Sequence, residues 1–402
     1  MQKWTLKSGM TLLYEPRSTD SVAIQVLVNV GSNSEPARVR GITHFLEHLV
    51  FEGTPSRPDA KTIANEIERL GGEMNAYTTN DRTCFHAKVL RKHAPTAIAV
   101  LADIMQNPLL RESDAAREKN VVLKEIELTT DEPRFHQWVL FQQTLFKRHP
   151  SRYPTHGTRA SVARTTAAHM RAYFEQYYVP RNMVISVVGT VPNLRQLIEQ
   201  QFAKKPGQKH LPRFPREPFP KAQRRIREKR PSESTYLLLG HLTVPRLHPD
   251  SSVLDVIDAV LGRGQSGWMF NEVRNKHGLA YEVGTQNVAE SDYGYFATFA
   301  NVSRTNKEKA AGLILNQLER LQQLTADELA EAKTYIEGDF YLSHEDTQKR
   351  ADELVVWEQL GDVRLLDGYM RKIGAVSLAD VRRVAKRYLG KNYCLVVIEG
   401  KR

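Results

Sequence analysis

The sequence predicts an α+β protein made of two related domains. Its 402 residues, 41% of them hydrophobic and 26% charged, are enough to bury two ordinary cores. Strand patterns and helix patterns alternate along the chain. A weak internal repeat, at an offset of 210 residues, links the ends of the two halves.

The strand patterns begin in the N-terminal half. Two short runs, 4–6 and 10–14, flank a Lys-Ser-Gly turn, as in a hairpin. Apolar residues then recur at every second position over 22–30, which predicts a strand with a well-buried face. A second hairpin is predicted over 73–89, with its turn at Asn80 and Asp81.

The repeat consists of a helix, a turn and a terminal strand. Residues 166–178 and 377–388 are both predicted to be helical, and each segment opens on a hydroxyl residue suited to capping. Tyr-Val-Pro-Arg-Asn at 178–182 then precedes a strand-like run, as Tyr-Leu-Gly-Lys-Asn does at 388–392. The two halves therefore look like a duplication.

We expect an N-terminal domain over 1–203, a linker over 204–230 and a C-terminal domain of the same fold over 231–402. The linker holds eleven Lys or Arg against two Glu, which leaves the rest of the chain near +2 of the formal +11. It is also rich in proline, which favours an extended backbone. Because Phe214 and Phe219 are its only aromatic residues, we interpret its charge as a solvated face and expect no nucleic-acid partner.

Composition also indicates the cellular compartment in which the protein is expected. The N-terminus lacks an apolar core of signal-peptide length, and no window approaches a membrane span, so we expect a protein that is soluble, not exported and without a membrane partner. Cys84 and Cys394 are the only cysteines, which excludes a disulfide framework. A reducing, cytoplasmic compartment fits this cysteine usage best.

A metal-binding pattern occupies a predicted helix around 41–51, with Gly53 placed to end it. His44 and His48 are four residues apart, so both imidazoles can reach one ion. Glu47 stands beside His48, within reach of a water on that ion. The order His-x-x-Glu-His is the inverzincin motif, in which the glutamate is the general base of a zinc hydrolase.

Catalytic zinc takes three protein ligands and keeps an open position, so a third ligand must come from elsewhere. The helix predicted over 113–130 offers Glu118 and Glu125, which are seven residues apart and share a face. Glu127 is rotated away from them. Residue geometry alone leaves open which carboxylate touches the metal and which one orients a ligand.

At these residues the chain closely resembles the pitrilysin family of zinc metallopeptidases, which includes insulin-degrading enzyme and the mitochondrial processing peptidases. The resemblance spans the whole chain and is strongest over 44–54. It implies that Glu125 is the third ligand and that each chain holds one Zn²⁺. It also implies that Glu118 is a carboxylate that orients a ligand without touching the metal. It further implies two domains of the processing-peptidase type, each a mostly antiparallel sheet packed with helices, which together form a clamshell.

The resemblance also implies substrate-binding residues. Asn75, Ala76 and Tyr77 match the family strand that pairs with the substrate backbone. Strand addition recognises an extended peptide through its main chain. Arg274 and Tyr281 resemble the family pair that contacts the substrate from the other domain, where both side chains can donate hydrogen bonds to a peptide oxygen.

The function implied is zinc-dependent endoproteolysis of unfolded or short peptides. Because family members enclose their chamber with four related domains and this chain supplies two, a homodimer is expected. The alternative is a non-catalytic processing-peptidase-like or assembly subunit, and the intact zinc motif argues against it. A third possibility, nucleic-acid binding through the linker, would require Lys221 to Arg230.

Overall fold

The computed structural model describes residues 1–204, 206–210 and 213–400. The strands are β1 Gln2–Thr5, β2 Thr11–Glu15, β3 Ser21–Val28, β4 Glu73–Thr78, β5 Thr83–Leu90, β6 Met183–Val188, β7 Arg224–Lys229, β8 Thr235–Leu242, β9 Ala280–Ala289, β10 Gly294–Val302 and β11 Cys394–Glu399. The helices are α1 Ile42–Val50, α2 Ala60–Glu68, α3 Ala94–Ile104, α4 Glu112–Asp131, α5 Pro133–Leu145, α6 Arg159–Arg164, α7 Ala167–Tyr177, α8 Leu194–Gln201, α9 Ser251–Gly262, α10 Lys307–Arg320, α11 Ala326–Ser343, α12 Thr347–Gln359, α13 Tyr369–Ala375 and α14 Leu378–Tyr388.

The strands form two mixed sheets with matching topology. The first has the order β1-β2-β6-β3-β5-β4 and the second the order β7-β11-β8-β10-β9. In each sheet one pair is parallel, β2 with β6 and β7 with β11, and the other pairs are antiparallel. The α+β class and the mostly antiparallel sheets are therefore confirmed.

The repeated segment has the expected local structure in both halves. Thr166 and Ser377 each cap a helix, α7 and α14, by accepting a hydrogen bond from the third residue of that helix in a capping box. The strands that follow, β6 and β11, occupy equivalent places next to the parallel neighbour in their sheets. The repeat is thus a structural repeat of helix, turn and inner strand.

The chain folds into two compact units, and each draws on both halves of the sequence. The first unit comprises 1–127, 153–213 and 342–364, and the second comprises 128–152, 214–341 and 365–402. The contiguous domains 1–203 and 231–402 therefore differ from these units at two segments, 128–152 and 342–364. These segments contain α5, which packs on β8 and β11, and α12, which packs on β3 and β6.

Helices α5 and α12, each contributed by the other half of the sequence, explain why the central strands are buried on both faces. Seven of the eight residues of β3 are buried. Val22, Ile24 and Val26 face the main core of the first unit, whereas Leu27 packs with Val355 of α12. A strand with two apolar faces needs a layer on each side, and the second layer comes from sequence more than 300 residues away.

The linker expected over 204–230 is only partly a linker. Its last residues form β7, an edge strand that pairs in parallel with β11. Exposed and partly buried residues alternate along β7, so Arg225, Arg227 and Lys229 are exposed while Ile226 packs against the apolar cluster of the second unit. Residues 205, 211 and 212 of the expected linker lie outside the described residues. No helix in the described part of the chain combines the length and apolar composition that crossing a membrane requires.

Candidate metal centre

Helix α1 presents the His-x-x-Glu-His residues on one face. Its opposite face, which includes Phe45 and Leu49, is buried in the core of the first unit. The Glu35 carboxylate receives the backbone N–H groups of Gly41 at 2.7 Å and Thr43 at 2.9 Å, and so caps the helix N-terminus. Burial raises the pKa of Glu35 to about 7, although these hydrogen bonds act in the opposite direction.

Two imidazoles and one carboxylate converge at the centre of this site. His44 Nε2 lies 3.7 Å from Glu125 Oε2, and His48 Nε2 lies 3.5 Å from the same oxygen. One ligand atom from each of these three residues lies within 4.8 Å of the other two. Among the described residues, this is the only group of three or more His, Cys, Asp or Glu side chains placed to hold a metal ion.

The structure places Glu118 and Glu125 at different nitrogen atoms of His48. Its Oε2 lies 3.5 Å from His48 Nδ1, whereas Glu125 faces the Nε2 atoms of both histidines. Glu118 is therefore placed to orient the His48 ring from behind. Glu127 points elsewhere and contacts Lys124 and Arg159.

The donor set fits a zinc ion. Ligand atoms about 2.1 Å from a tetrahedral ion are separated by about 3.4 Å, in agreement with the distances to Glu125 Oε2. Burial, together with the neighbouring His48 and His156, lowers the pKa of His44 to about 3. His44 is consequently neutral at pH 7, as a metal-binding imidazole must be.

Glu47 lies beside the ligands and has a partner that the sequence did not suggest. The hydroxyl of Thr78, the last residue of β4, donates a hydrogen bond to Glu47 Oε2. Burial raises the pKa of Glu47, while the Thr78 hydrogen bond and His48 lower it. A carboxylate with a raised pKa beside a metal site has the character of a general base.

Strand β4 is an edge strand, and within the described residues its ladder partner is β5 alone. The side chain of Tyr77 points away from Glu47, because consecutive strand residues face opposite sides of a sheet and Thr78 holds the Glu47 side. The Tyr77 hydroxyl donates a 2.5 Å hydrogen bond to Asp352 of α12. Any contact of Tyr77 with a substrate would therefore use its backbone. Ala76 packs against the core of the first unit, and the Asn75 Oδ1 accepts from the Ala76 N–H at 2.8 Å.

An apolar pocket of about 240 Å³ adjoins β4 in the first unit. It lies between α2, β4 and Phe51, the residue that follows α1, and Asn75 forms part of its wall. Its apolar lining comes from Phe51, Ala60, Ile63, Ala64, Ile67 and Met74. No local sequence pattern marks this pocket, because its walls come from three separate segments of the chain.

The loop containing His156 abuts the N-terminus of α1. Gly41 and Gly157 both have positive φ, +91° and +74°, and a Cβ on Gly41 would lie 2.9 Å from the Gly157 Cα. This close approach brings His156 near enough to His44 to contribute to its lowered pKa. No motif in the sequence marks His156, since its position depends on a contact between two glycines.

Arg274 and Tyr281 are neighbours within the second unit. Arg274 lies in the π-helical segment Phe270–Lys276, and Tyr281 begins the exposed part of β9. The guanidinium donates to the Tyr281 carbonyl at 2.9 Å and lies 4.9 Å from the centre of its ring. The Tyr281 side chain is 81% exposed, so its hydroxyl is available to a ligand.

The family comparisons match both halves of the chain. Residues 11–159 match the insulinase domain of peptidase family M16, and residues 164–336 match the domain described as the peptidase M16 inactive domain. A solved structure of a protease from Helicobacter pylori superposes with a TM-score of 0.93 at 24% identity and covers 99% of each chain. An M16 inactive-domain structure from Pseudomonas fluorescens gives 0.89 at 22% identity, covering 100% of this chain and 98% of that one. These two likenesses establish the two-domain fold.

Curated relatives are similar along most of their length. The uncharacterized zinc protease YmxG of Bacillus subtilis is 30% identical and is covered to 98%, with 99% of this chain aligned. An uncharacterized zinc protease of Streptomyces coelicolor is 31% identical over 99% of this chain and 89% of its own length. The resemblance to the pitrilysin family is confirmed: the chain belongs to the insulinase family, peptidase family M16, and is a zinc metalloprotease.

Proposed function

We propose that this chain is a zinc endopeptidase that cleaves short or unfolded peptides held in an extended conformation. The observation that carries the proposal is the convergence of His44, His48 and Glu125 beside Glu47, a half-buried glutamate that is hydrogen-bonded to the end of an edge strand. One Zn²⁺ per chain is proposed, held by these three ligands. The non-catalytic alternative would leave this ligand set and base without a use.

The ligands and base divide the chemistry between them. A zinc ion held there supplies Lewis acidity, which acidifies a water and polarises a carbonyl. Glu47 takes the proton of the attacking water and then returns it to the leaving amide nitrogen. Glu118 keeps the His48 ring oriented through Nδ1.

Peptide binding is proposed along β4. An edge strand offers N–H and C=O groups at regular intervals, and an extended peptide satisfies them without regard to its sequence. Asn75, Ala76 and Tyr77 would contribute their backbone atoms. The pocket beside Asn75 would receive an apolar side chain of the substrate and so give the enzyme a preference.

Arg274 and Tyr281 are proposed to bind the substrate and to donate to the oxygen that becomes negative during attack. Their mutual contact and the exposure of Tyr281 support this role. A homodimer is proposed because each chain carries the zinc ligands and the Arg274 and Tyr281 pair, while family chambers use four such domains. Sedimentation of an active preparation tests this, and a purely monomeric active species would contradict it.

The proposed activity is tested by digesting a mixture of unstructured peptides and reading the products by mass spectrometry. Internal cleavage is expected with the zinc-loaded protein and should stop after treatment with a chelator. Activity should return when zinc is restored. Trimming from the ends only, or cleavage that the chelator does not affect, would contradict the proposal.

A further inference from the structure

We propose that Thr78 is a positioning residue that fixes which oxygen of Glu47 acts as the base, an inference that rests on the proposed function. The Thr78 Oγ1 donates to Glu47 Oε2. An ionised carboxylate accepts hydrogen bonds and cannot donate them, so the hydroxyl proton is committed to this contact. Oε1 is left as the oxygen that receives the proton of the attacking water.

The strand end that carries Thr78 is held in place on two sides. Thr78 is in register with Thr83 across the hairpin, and the Thr83 hydroxyl donates to the Val30 carbonyl at 2.9 Å. The turn residue Thr79 accepts the Ser32 N–H through its carbonyl at 3.1 Å. The hairpin is therefore tied to the segment 30–33, which lies just before α1 in the sequence.

A second set of contacts ties the same turn to that segment. The Asn33 N–H donates to the Asn80 carbonyl at 2.7 Å, and the Asn80 side chain donates to the Ser32 hydroxyl at 3.1 Å. Asn33 and Asn80 are buried, which shields these hydrogen bonds from water. The turn cannot shift relative to 32–33 without breaking several bonds together.

The helix that carries Glu47 is anchored to the adjoining residues. Glu35 caps α1 through the N–H groups of Gly41 and Thr43. One short segment, 30–35, thus holds both the strand end that carries Thr78 and the helix that carries Glu47. Because donor and acceptor are both held by the same segment, the hydrogen bond from Thr78 can fix the orientation of the Glu47 carboxylate.

The arrangement links substrate docking to the base. Thr78 lies three residues from Asn75 on the strand proposed to pair with the peptide. A peptide aligned on β4 is then aligned with respect to the Oε1 of Glu47 as well. Loss of the Thr78 hydroxyl should disturb the chemical step and leave peptide binding intact.

The test compares Thr78→Val with Thr78→Ser in the zinc-loaded protein. Valine keeps the shape but removes the donor, and we expect kcat to fall about 10- to 100-fold with KM within about threefold of wild type. Serine keeps the donor and should restore kcat to within about threefold of wild type. Thr334→Val makes the same change on the exposed surface of α11 and should leave kcat within about twofold.

Two further measurements separate positioning from a loss of structure. Zinc content should equal that of wild type in both Thr78 variants. The affinity of a fluorescent peptide, measured by anisotropy, should be the same for Glu47→Gln as for Glu47→Gln combined with Thr78→Val. An unchanged kcat in Thr78→Val, an equal loss in Thr78→Ser, or a loss explained by zinc or peptide affinity would overturn the proposal. Absence of cleavage by the wild-type protein would instead refute the proposed function, and this inference with it.

Discussion

Glu118 Oε2 lies 3.5 Å from His48 Nδ1, on the side of the ring opposite the atom that faces Glu125. The two carboxylates on α4 therefore address the same imidazole from its two nitrogens. A carboxylate at Nδ1 holds the ring in the tautomer that leaves Nε2 free to bind a metal, and it raises the basicity of that nitrogen.

Replacing Glu118 by Gln should weaken zinc binding about 10- to 100-fold, because the His48 ring loses its charged partner. Competition with a zinc chelator measures the change. Glu127→Gln is the matched control, since Glu127 lies on the same helix and pairs with Lys124 and Arg159 on the exposed side of that helix. Equal zinc affinity of wild type and Glu118→Gln would refute the assigned role.

Glu47→Gln and His44→Ala should separate the base from a ligand. Glu47→Gln should keep its zinc and lose about 10²- to 10⁴-fold in kcat, because the amide cannot accept the proton of water. His44→Ala should lose both zinc and activity. Metal analysis alongside peptide cleavage reads both outcomes, and wild-type turnover by Glu47→Gln would exclude it as the base.

Filling the pocket beside β4 should change the substrate preference. Ala64→Leu places a larger side chain in the lining, and we expect about a 10-fold fall in kcat/KM for peptides with a bulky apolar residue near the cleaved bond. Peptides with alanine at that place should be affected less. Lys61→Leu on the exposed face of α2 is the control. Cleavage maps of a peptide library measure the preference, and identical maps would place substrate side chains elsewhere.

The second unit should lose stability in acid through Glu399. This buried residue at the end of β11 accepts from Arg227 Nε at 2.9 Å and pairs with Lys307 at 2.9 Å. These hydrogen bonds lower the pKa of Glu399 from 4.5 to about 2. Because the pKa is lower in the folded protein, the stabilisation is complete above the ordinary value and is lost as pH falls from about 4.5 towards 2.

Urea unfolding of wild type and Glu399→Gln at several pH values tests this dependence. The variant should be less stable than wild type at pH 7, and the difference should shrink below about pH 4. Glu337, an exposed residue of α11 in the same unit, provides a surface control as Glu337→Gln. A difference for Glu399→Gln that stays constant with pH would show that its charge contributes nothing.

The fold class and the duplication were predictable because they depend on local patterns. These patterns are alternating apolar residues, capping hydroxyls such as those of Thr166 and Ser377, and the hairpin turn at Asn80. Each of them determines the structure of only a few neighbouring residues. The boundaries of the two structural units could not be predicted in this way. Helix α12 belongs with β3 and β6 because those strands have a second apolar face, and no local pattern states which distant helix covers it.

At the metal centre, the sequence by itself determined His44, Glu47 and His48, because helix geometry places residues three and four apart on one face. It also brought Glu118 and Glu125 to one side of α4. Only the tertiary structure decided that Glu125 faces the Nε2 atoms and Glu118 the Nδ1 of His48, since that depends on how α4 packs beside α1.

The tertiary structure also decided the roles of neighbouring strand residues. Tyr77 turns towards Asp352 and Thr78 towards Glu47, because strand side chains alternate and the hairpin register fixes which of them faces α1. A shift of one residue would exchange the two. That register depends on contacts between segments about 50 residues apart, such as Thr83 with Val30. Local sequence patterns do not predict long-range contacts of this kind.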